Sequence, residues 1–369
     1  MTNARFTPLV ASLPASVPFV GPETQERARG KPFAARIGAN ENVFGPSPRA
    51  IEAMAREARD VWKYGDPENH DLRQALAAHN GVPPECIVVG EGIDSLLGNL
   101  VRLLVGEGTP VVTSLGAYPT FNYHVTGFGG ALHTVPYKND AEDPEALLEK
   151  ARAVDAPLIY FANPDNPMGT IHGADAVQHM IDSLPEGAIL CLDEAYIEFA
   201  PAGTAPPFDV TNRNVIRFRT FSKAYGMAGA RIGYGIAHEE LATAFNKVRN
   251  HFGMNRISQA GALAALADQA YVSDVREKVV HSCRRISEIA KECGLTPLPT
   301  AANFVAIDCG RDDAYAKAVL DGLIDAGIFV RMPFVAPQSR CIRISAGTEA
   351  DLDLLAEALP RVLDRLLVR

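Results

Sequence analysis

Residues 214–233 read NVIRFRTFSKAYGMAGARIG, and their reading decides the fold. The first nine, NVIRFRTFS, are rich in Val, Ile and Phe and end in hydroxyls, the pattern of a strand buried on both faces. Beyond them Lys223 and Arg231 stand among Ala, Gly and Met, with no acidic residue between them. Two cations so placed ask for a partner that the local chain does not supply.

Similar apolar runs lie upstream: ECIVVG (85–90), TPVVTSL (109–115), PLIYFAN (157–163) and AILCLDEA (188–195). Helical patterns fall between them, among them IDSLLGNLVRLLV (93–105) and GADAVQHMIDSL (173–184). Buried strands alternating with helices predict an α/β fold, a largely parallel sheet covered on both faces. The last third changes character. Residues 271–294 read as one long amphipathic helix stopped by Gly294, followed by short strands at 303–308 and 340–345 and a final helix over 349–368. Pro360 is expected to kink or interrupt that last helix. The pattern predicts a smaller α+β lobe and a division into an arm (1–40), a large domain (41–254) and a small domain (255–369). The Pro- and Gly-rich arm is expected to wrap over the surface.

With 369 residues the chain can bury a large core. Its net charge of −9 with no Lys/Arg run argues against nucleic acid or an anionic membrane as a partner. The N-terminal segment is broken by prolines and lacks a basic start followed by an unbroken apolar stretch, so it does not read as a signal peptide. The six cysteines (86, 191, 283, 293, 309 and 341) form no C-x-x-C pair, and neither they nor the nine histidines have metal-ligand spacing. These features predict a cytoplasmic protein with reduced thiols and no metal site.

In open α/β sheets ligands bind beyond the carboxyl ends of the strands. Three of the predicted strands deliver polar residues there: Asn163 and Asn166 after PLIYF, Asp193 and Tyr196 after AILCL, and Thr220, Ser222 and Lys223 after VIRFR. A lysine amine can form a Schiff base with an aldehyde. An aspartate can pair with a pyridinium nitrogen and keep the ring electron-withdrawing. Asn166 and Tyr196 can donate hydrogen bonds to a phenolate oxygen. Gly92, Ile93, Asp94 and Ser95 sit where a glycine turn opens a helix, so their N–H groups can hold a phosphate, with Arg231, Ser222 and Thr220 completing the anion site. Tyr118 is a candidate to stack on a flat ring. An aldehyde, a pyridine nitrogen, a phenolate and a phosphate together describe pyridoxal 5'-phosphate.

The blocks GANENVFGPSP, KYGDPENHDLRQALA, GEGIDSLL, NPDNPMGT, LDEAYIEF, TFSKAYGMAGARIGY and CIRISAGT span nearly the whole chain, and their order and spacing resemble the fold-type I, class I/II aminotransferases. The histidinol-phosphate aminotransferase branch is the nearest in pattern. The resemblance implies a large domain with a mainly parallel seven-stranded sheet and a smaller α+β domain. It implies Lys223 as the cofactor lysine, Asp193 at the pyridine nitrogen, and Asn166 and Tyr196 at the phenolate. It places Arg231, Ser222 and the Ile93–Asp94 backbone at the phosphate. It further implies a homodimer in which Tyr64 reaches the neighbouring subunit's phosphate site. Arg343, with Arg331, Asn40 and Phe19, is expected at the substrate. The expected reaction is a ping-pong transfer from an amino donor to a 2-oxo acid such as 2-oxoglutarate.

The sequence departs from that branch at Phe19, where a tyrosine is usual, at Val43, and over MPFVAPQSRC (332–341). An aromatic or other amino acid therefore stands open beside histidinol phosphate as donor. A decarboxylase resembling the threonine-phosphate decarboxylases is the alternative on the same scaffold. A non-enzymatic aminotransferase-like sensor is a third reading.

Overall fold

The computed structural model describes residues 5–15 and 20–367. The strands, in chain order, are β1 (Ala35–Arg36), β2 (Ile87–Gly90), β3 (Pro110–Ser114), β4 (Ala131–Val135), β5 (Leu158–Ala162), β6 (Ile189–Asp193), β7 (Val215–Thr220), β8 (Gly233–Ala237), β9 (Thr296–Pro297), β10 (Phe304–Asp308), β11 (Ile328–Phe329) and β12 (Cys341–Ser345). Seven of them form one sheet in the order β2-β8-β7-β6-β5-β3-β4. The run from β7 to β4 is parallel, while β8 lies antiparallel to both β7 and β2.

Each expected strand of this sheet is present; β4 and β8 are the two that the apolar runs do not announce. β4 is an edge strand with four of its five residues incompletely buried, so it lacks the continuous apolar signature. β8 reads GYGIA, and glycine is depleted in strands. Packing explains both glycines. A Cβ on Gly235 would lie 2.7 Å from Phe218 Cε1, and one on Gly233 would lie 2.7 Å from the Gly92 carbonyl carbon and from Ile93 N.

Strand periodicity assigns the two faces. Leu158, Tyr160 and Ala162 of β5 pack with Ile93, Leu96, Leu97, Leu100 and Phe121, beneath the helices Gly92–Leu104 and Pro119–Gly127. Ile159 and Phe161 pack on the opposite side with Leu147, Leu148, Val177 and Met180. Burying both faces is what makes β5 and β6 almost wholly apolar, while β7 alternates Ile216 and Phe218 with Arg217 and Arg219.

The C-terminal portion carries the antiparallel sheet β12-β10-β9 with the helices Gln269–Glu292, Asp313–Asp325 and Glu349–Leu367. Gly294 adopts φ +76° just past the long helix, as its role as a stop requires. The N-terminal segment does more than cover the surface. It forms the short helices Pro8–Ser12 and Pro22–Arg29, and β1 then pairs with β11 in parallel. Pro360 does not interrupt the final helix, which runs through it from Glu349 to Leu367. An interior proline costs about 3 kcal/mol. Here Leu352, Leu355, Leu359, Val362 and Leu363 are buried along one stripe, and that packing outweighs the lost hydrogen bond.

All six cysteines are free thiols. No described helix is long and apolar enough to cross a membrane.

Because its would-be Cβ meets the backbone of the Gly92–Ile93 peptide, Gly233→Ala is expected to destabilise the fold by about 1–3 kcal/mol. Gly127, with no atom within 4 Å of the same position, is the control and should change by less than about 0.5 kcal/mol. Urea unfolding midpoints of the two variants provide the comparison.

Candidate active site

β5 and β6 end level, Ala162 paired with Asp193, and β7 continues from Phe218, the partner of Asp193, to Thr220. The turns that follow open into a cavity of about 690 Å³. It is lined by Ile93, Asp94, Tyr118, Asn166, Asp193, Tyr196, Thr220, Ser222, Lys223 and Arg231, and by Asn40, Arg331 and Arg343. Residues more than three hundred positions apart thus meet in one place.

Lys223 Nζ donates to the carbonyl oxygen of Asn40 at 3.1 Å and lies 5.5 Å from the centre of the Tyr196 ring. Asn40 is buried with φ +55°, a left-handed conformation that asparagine tolerates. Its Nδ2 donates to Tyr196 Oη at 3.0 Å, its Oδ1 accepts from the Ser345 hydroxyl at 3.0 Å, and its carbonyl also accepts from Asn303 Nδ2 at 3.0 Å. One residue therefore sets the lysine, the tyrosine and the end of β12.

Asp193 is 5% exposed. Its Oδ2 accepts from Tyr160 Oη at 2.8 Å and its Oδ1 from the Ala195 N–H at 2.9 Å. Burial pushes its carboxyl up to about 6, and the two hydrogen bonds oppose that push. Tyr196 Oη also accepts from Asn166 Nδ2 at 3.4 Å, and Asn166 Oδ1 accepts from Arg343 Nη1 at 2.5 Å.

At the opposite end Arg231 Nη1 donates to Ser222 Oγ at 3.2 Å and to the Ala228 carbonyl at 3.0 Å. Its Nη2 is 3.9 Å from Asp94 Oδ2, a distant pairing on an exposed side chain. Gly92 (φ +79°) lets the guanidinium approach: a Cβ there would lie 2.3 Å from Arg231 Nη2. Ile93 and Asp94, in the first turn of the helix Gly92–Leu104, line the same region, and the N–H groups of a first turn have no partner within the helix. Tyr118 Oη donates to Asp94 Oδ1 at 2.8 Å; burial, and then the Asp94 charge, push its phenol well above the usual range. Thr220 spends its hydroxyl proton on the Ile232 carbonyl at 3.1 Å and accepts the Ser222 N–H at 3.0 Å, so it props the loop.

Arg331 and Arg343 face each other through a two-way backbone bridge. Burial pushes the Arg343 guanidinium down to about 10, and the Arg331 charge adds to the effect. Arg343 Nε is buried without a hydrogen-bond partner among the described residues. A cation in that condition is matched to an incoming anion. Arg331 Nη2 donates to the Val20 carbonyl at 3.0 Å, tying the N-terminal segment to the cavity rim.

Three of the expected residues, Gly92, Ser95 and Tyr64, do not line the cavity of this chain. Gly92 stands behind Arg231 and does not itself line the cavity. Ser95 turns its hydroxyl onto Glu91 Oε2 at 2.9 Å. Tyr64 is 78% exposed, its ring 4.8 Å from that of Phe252, and is absent from the cavity of its own chain. Phe19 lies outside the described residues. Sequence reasoning missed Tyr160, Asn303 and Ser345. Tyr160 is hidden in an apolar strand, where an aromatic is expected for packing alone; the other two belong to the far lobe.

The sequence profile of the family described as "Aminotransferase class I and II" matches residues 35–359. The histidinol-phosphate aminotransferase of Moorella thermoacetica is 32% identical, covering 96% of this chain and 92% of its own. That of Anaeromyxobacter sp. (strain Fw109-5) is 34% identical, covering 96% and 98%. Among solved structures, the histidinol-phosphate aminotransferase of Sinorhizobium meliloti in complex with pyridoxal 5'-phosphate is 57% identical, covers 99% of both chains and superposes with a TM-score of 0.96. The aspartate aminotransferase of Thermus thermophilus with maleate, 23% identical over 97% of this chain and all of its own, shares the fold with a TM-score of 0.78.

Beneath the cavity Glu194, the residue after Asp193, bridges β6 to β7. Its Oε1 accepts from Arg217 Nη2 at 2.6 Å and its Oε2 from Arg219 Nε at 2.9 Å. Burial pushes its carboxyl up, but Arg219 and Arg217 prevail and hold it below the usual range. Glu194→Gln leaves two guanidinium groups under-compensated in a buried place. It is expected to cost about 3–5 kcal/mol in urea unfolding of the cofactor-free protein.

Proposed function

The chain belongs to the class I and II aminotransferase family, and we propose that it binds pyridoxal 5'-phosphate and transfers the amino group of histidinol phosphate to a 2-oxo acid. The observation that carries this reading is the convergence on one cavity of the Lys223 amine, the Asp193 carboxylate, an anion-ready helix start with Arg231, and the Arg343 guanidinium with its buried, unpaired Nε. The names borne by the relatives support the choice of donor.

The residues fit the cofactor. Gly92 keeps the phosphate end open where a Cβ would collide with Arg231, and Ser222, Arg231 and the Ile93 and Asp94 N–H groups supply donors there. Asp193 would meet the ring nitrogen, and Tyr196 with Asn166 the ring oxygen. Tyr118, fixed by Asp94, would cover a ring face. When bound, pyridoxal 5'-phosphate supplies an aldehyde that takes up the amino group and an electron-poor ring that accepts the electron pair left when a proton departs.

The rest falls to the protein. Lys223 would hold the cofactor covalently between turnovers, and its Nζ, once free, would take the proton from the substrate carbon that bears nitrogen and give it up again, as base and then acid. Asp193 would keep the ring nitrogen protonated. Arg343 and Arg331 bind the anionic end, the phosphate of histidinol phosphate or the carboxylate of the 2-oxo acid. Tyr123, Met332, Pro333 and Phe334 line the same cavity and offer apolar surface to an imidazole ring. A second copy of the chain completes the site in this reading. Tyr64 stands exposed with Val61, Trp62 and Phe252, an apolar face for the partner to cover, and its hydroxyl would reach the partner's phosphate end.

Lys223→Ala is expected to abolish transfer from histidinol phosphate to 2-oxoglutarate, and normal turnover would refute the scheme. Arg343→Met should raise KM for histidinol phosphate by about 30–100-fold, the worth of charge-assisted hydrogen bonds. Phenylalanine outpacing histidinol phosphate as donor in the wild type would overturn the substrate assignment.

The pH dependence follows from Asp193. Its carboxyl sits at about 6 in the cofactor-free fold, so it is ionised above that pH and protonated below. Only the ionised form holds a ring-nitrogen proton. Cofactor affinity should therefore fall as pH drops through about 6, relative to Asp193→Asn, which lacks the titration. Equilibrium dialysis at a series of pH values measures the ratio.

A further inference from the structure

Tyr160 sits in the middle of β5, fully buried, on the sheet face that carries the cavity. Its ring stacks on Phe121 with centroids 4.5 Å apart and planes 19° apart, which fixes where the hydroxyl points. That hydroxyl donates to Asp193 Oδ2 at 2.8 Å, while the other carboxylate oxygen receives the Ala195 N–H. Asp193 is thus held at both oxygens, from its own turn and from the neighbouring strand. A phenylalanine would fill the same apolar space without a polar group to satisfy, so packing alone does not account for a hydroxyl here.

We propose that Tyr160 is a positioning residue for the reaction: it fixes the orientation of the Asp193 carboxylate and keeps it ionised to face the ring nitrogen of the cofactor. The inference rests on the pyridoxal phosphate reading given above. The physical case has two parts. First, burial, and then the adjacent Asp193 charge, drive the Tyr160 phenol far above its ordinary range, so it remains a neutral donor at any working pH. A permanent donor stabilises the charged carboxylate over the neutral one. Second, burial works on Asp193 in the opposite sense, and the Tyr160 hydrogen bond is the largest influence opposing it. Without the hydroxyl, a carboxyl at this depth would take a proton nearer neutrality and lose its fixed orientation. Tyr160 touches the reaction through Asp193, as a supporting hydrogen bond tunes the group that meets a cofactor.

The test is a double-mutant cycle on cofactor binding. Pyridoxal 5'-phosphate is titrated into the cofactor-depleted wild type, Tyr160→Phe, Asp193→Asn and the double variant, and the dissociation constant is followed across the neutral and mildly acidic range by equilibrium dialysis. Tyr160→Phe is expected to weaken binding about tenfold and to move the pH at which affinity declines upward by about one unit. In the Asp193→Asn background the same change should have no further effect. Replacing Tyr160 by 3-fluorotyrosine, a stronger donor of nearly the same shape, should move the midpoint downward, and it serves should the phenylalanine variant fold poorly. Equal weakening in both backgrounds, or an unmoved pH midpoint in either Tyr160 variant, would overturn the inference and leave a packing role. Wild-type affinity in Asp193→Asn is a separate outcome: it would overturn the assignment of Asp193 to the ring nitrogen, and with it the role given to Tyr160.

Discussion

The parallel register of three neighbouring strands is the constraint from which the site follows. β5, β6 and β7 pair so that Ala162, Asp193 and Phe218 lie side by side, and each chain turns out of the sheet within a few residues of that line. Asn166, Tyr196 and Lys223 are brought together by this alignment, and Asn166 Nδ2 then donates to Tyr196 Oη at 3.4 Å. The alignment is held from below by Glu194 between Arg217 and Arg219, and from the side by the two-faced apolar packing of β5. A slip of one residue in β5 would turn Tyr160 away from the cavity, and one in β6 would turn Asp193 away.

Electrostatics in the cavity runs against the stability of the empty fold. Asp193, at about 6 against an ordinary 3.8, binds its proton more tightly folded than unfolded. Between those two values the folded chain carries more protons, so this residue's contribution to stability declines as pH rises from about 4 to about 6. Arg343, depressed to about 10, is likewise a charge that burial disfavours. Such groups persist where a bound partner restores the balance, and their opposite signs at separate places in one cavity suit a zwitterionic, phosphorylated ligand. Asn40 joins the two ends: its carbonyl receives Lys223 while its side chain links Tyr196 to Ser345.

Much of this was legible in the sequence. The apolar runs that lead to Asn163 and Asp193, and the Val-, Ile- and Phe-rich run before Lys223, announce buried parallel strands with a polar carboxyl end, and the glycine turn before Ile93 announces the helix Gly92–Leu104 at the cavity. What escaped did so for physical reasons. β8 is built on glycines because Phe218 and the Gly92 backbone leave no room for a Cβ, so its composition argues against a strand. Pro360 reads as a break, yet a buried leucine stripe carries the helix through it. The pairing of β1 with β11 joins segments almost three hundred residues apart, and no local pattern records it. The hydroxyl of Tyr160 is invisible in PLIYF because an aromatic there needs no polar reason.

The central claim is that Lys223 is the residue to which pyridoxal 5'-phosphate is joined. Borohydride reduction of the cofactor-loaded protein fixes the cofactor to the amine that holds it, and peptide mass spectrometry then locates the modification. The account predicts a single reduced adduct on the peptide containing Lys223, absent from Lys223→Ala treated in the same way. An adduct on another lysine, or none in protein shown to carry the cofactor, would contradict it.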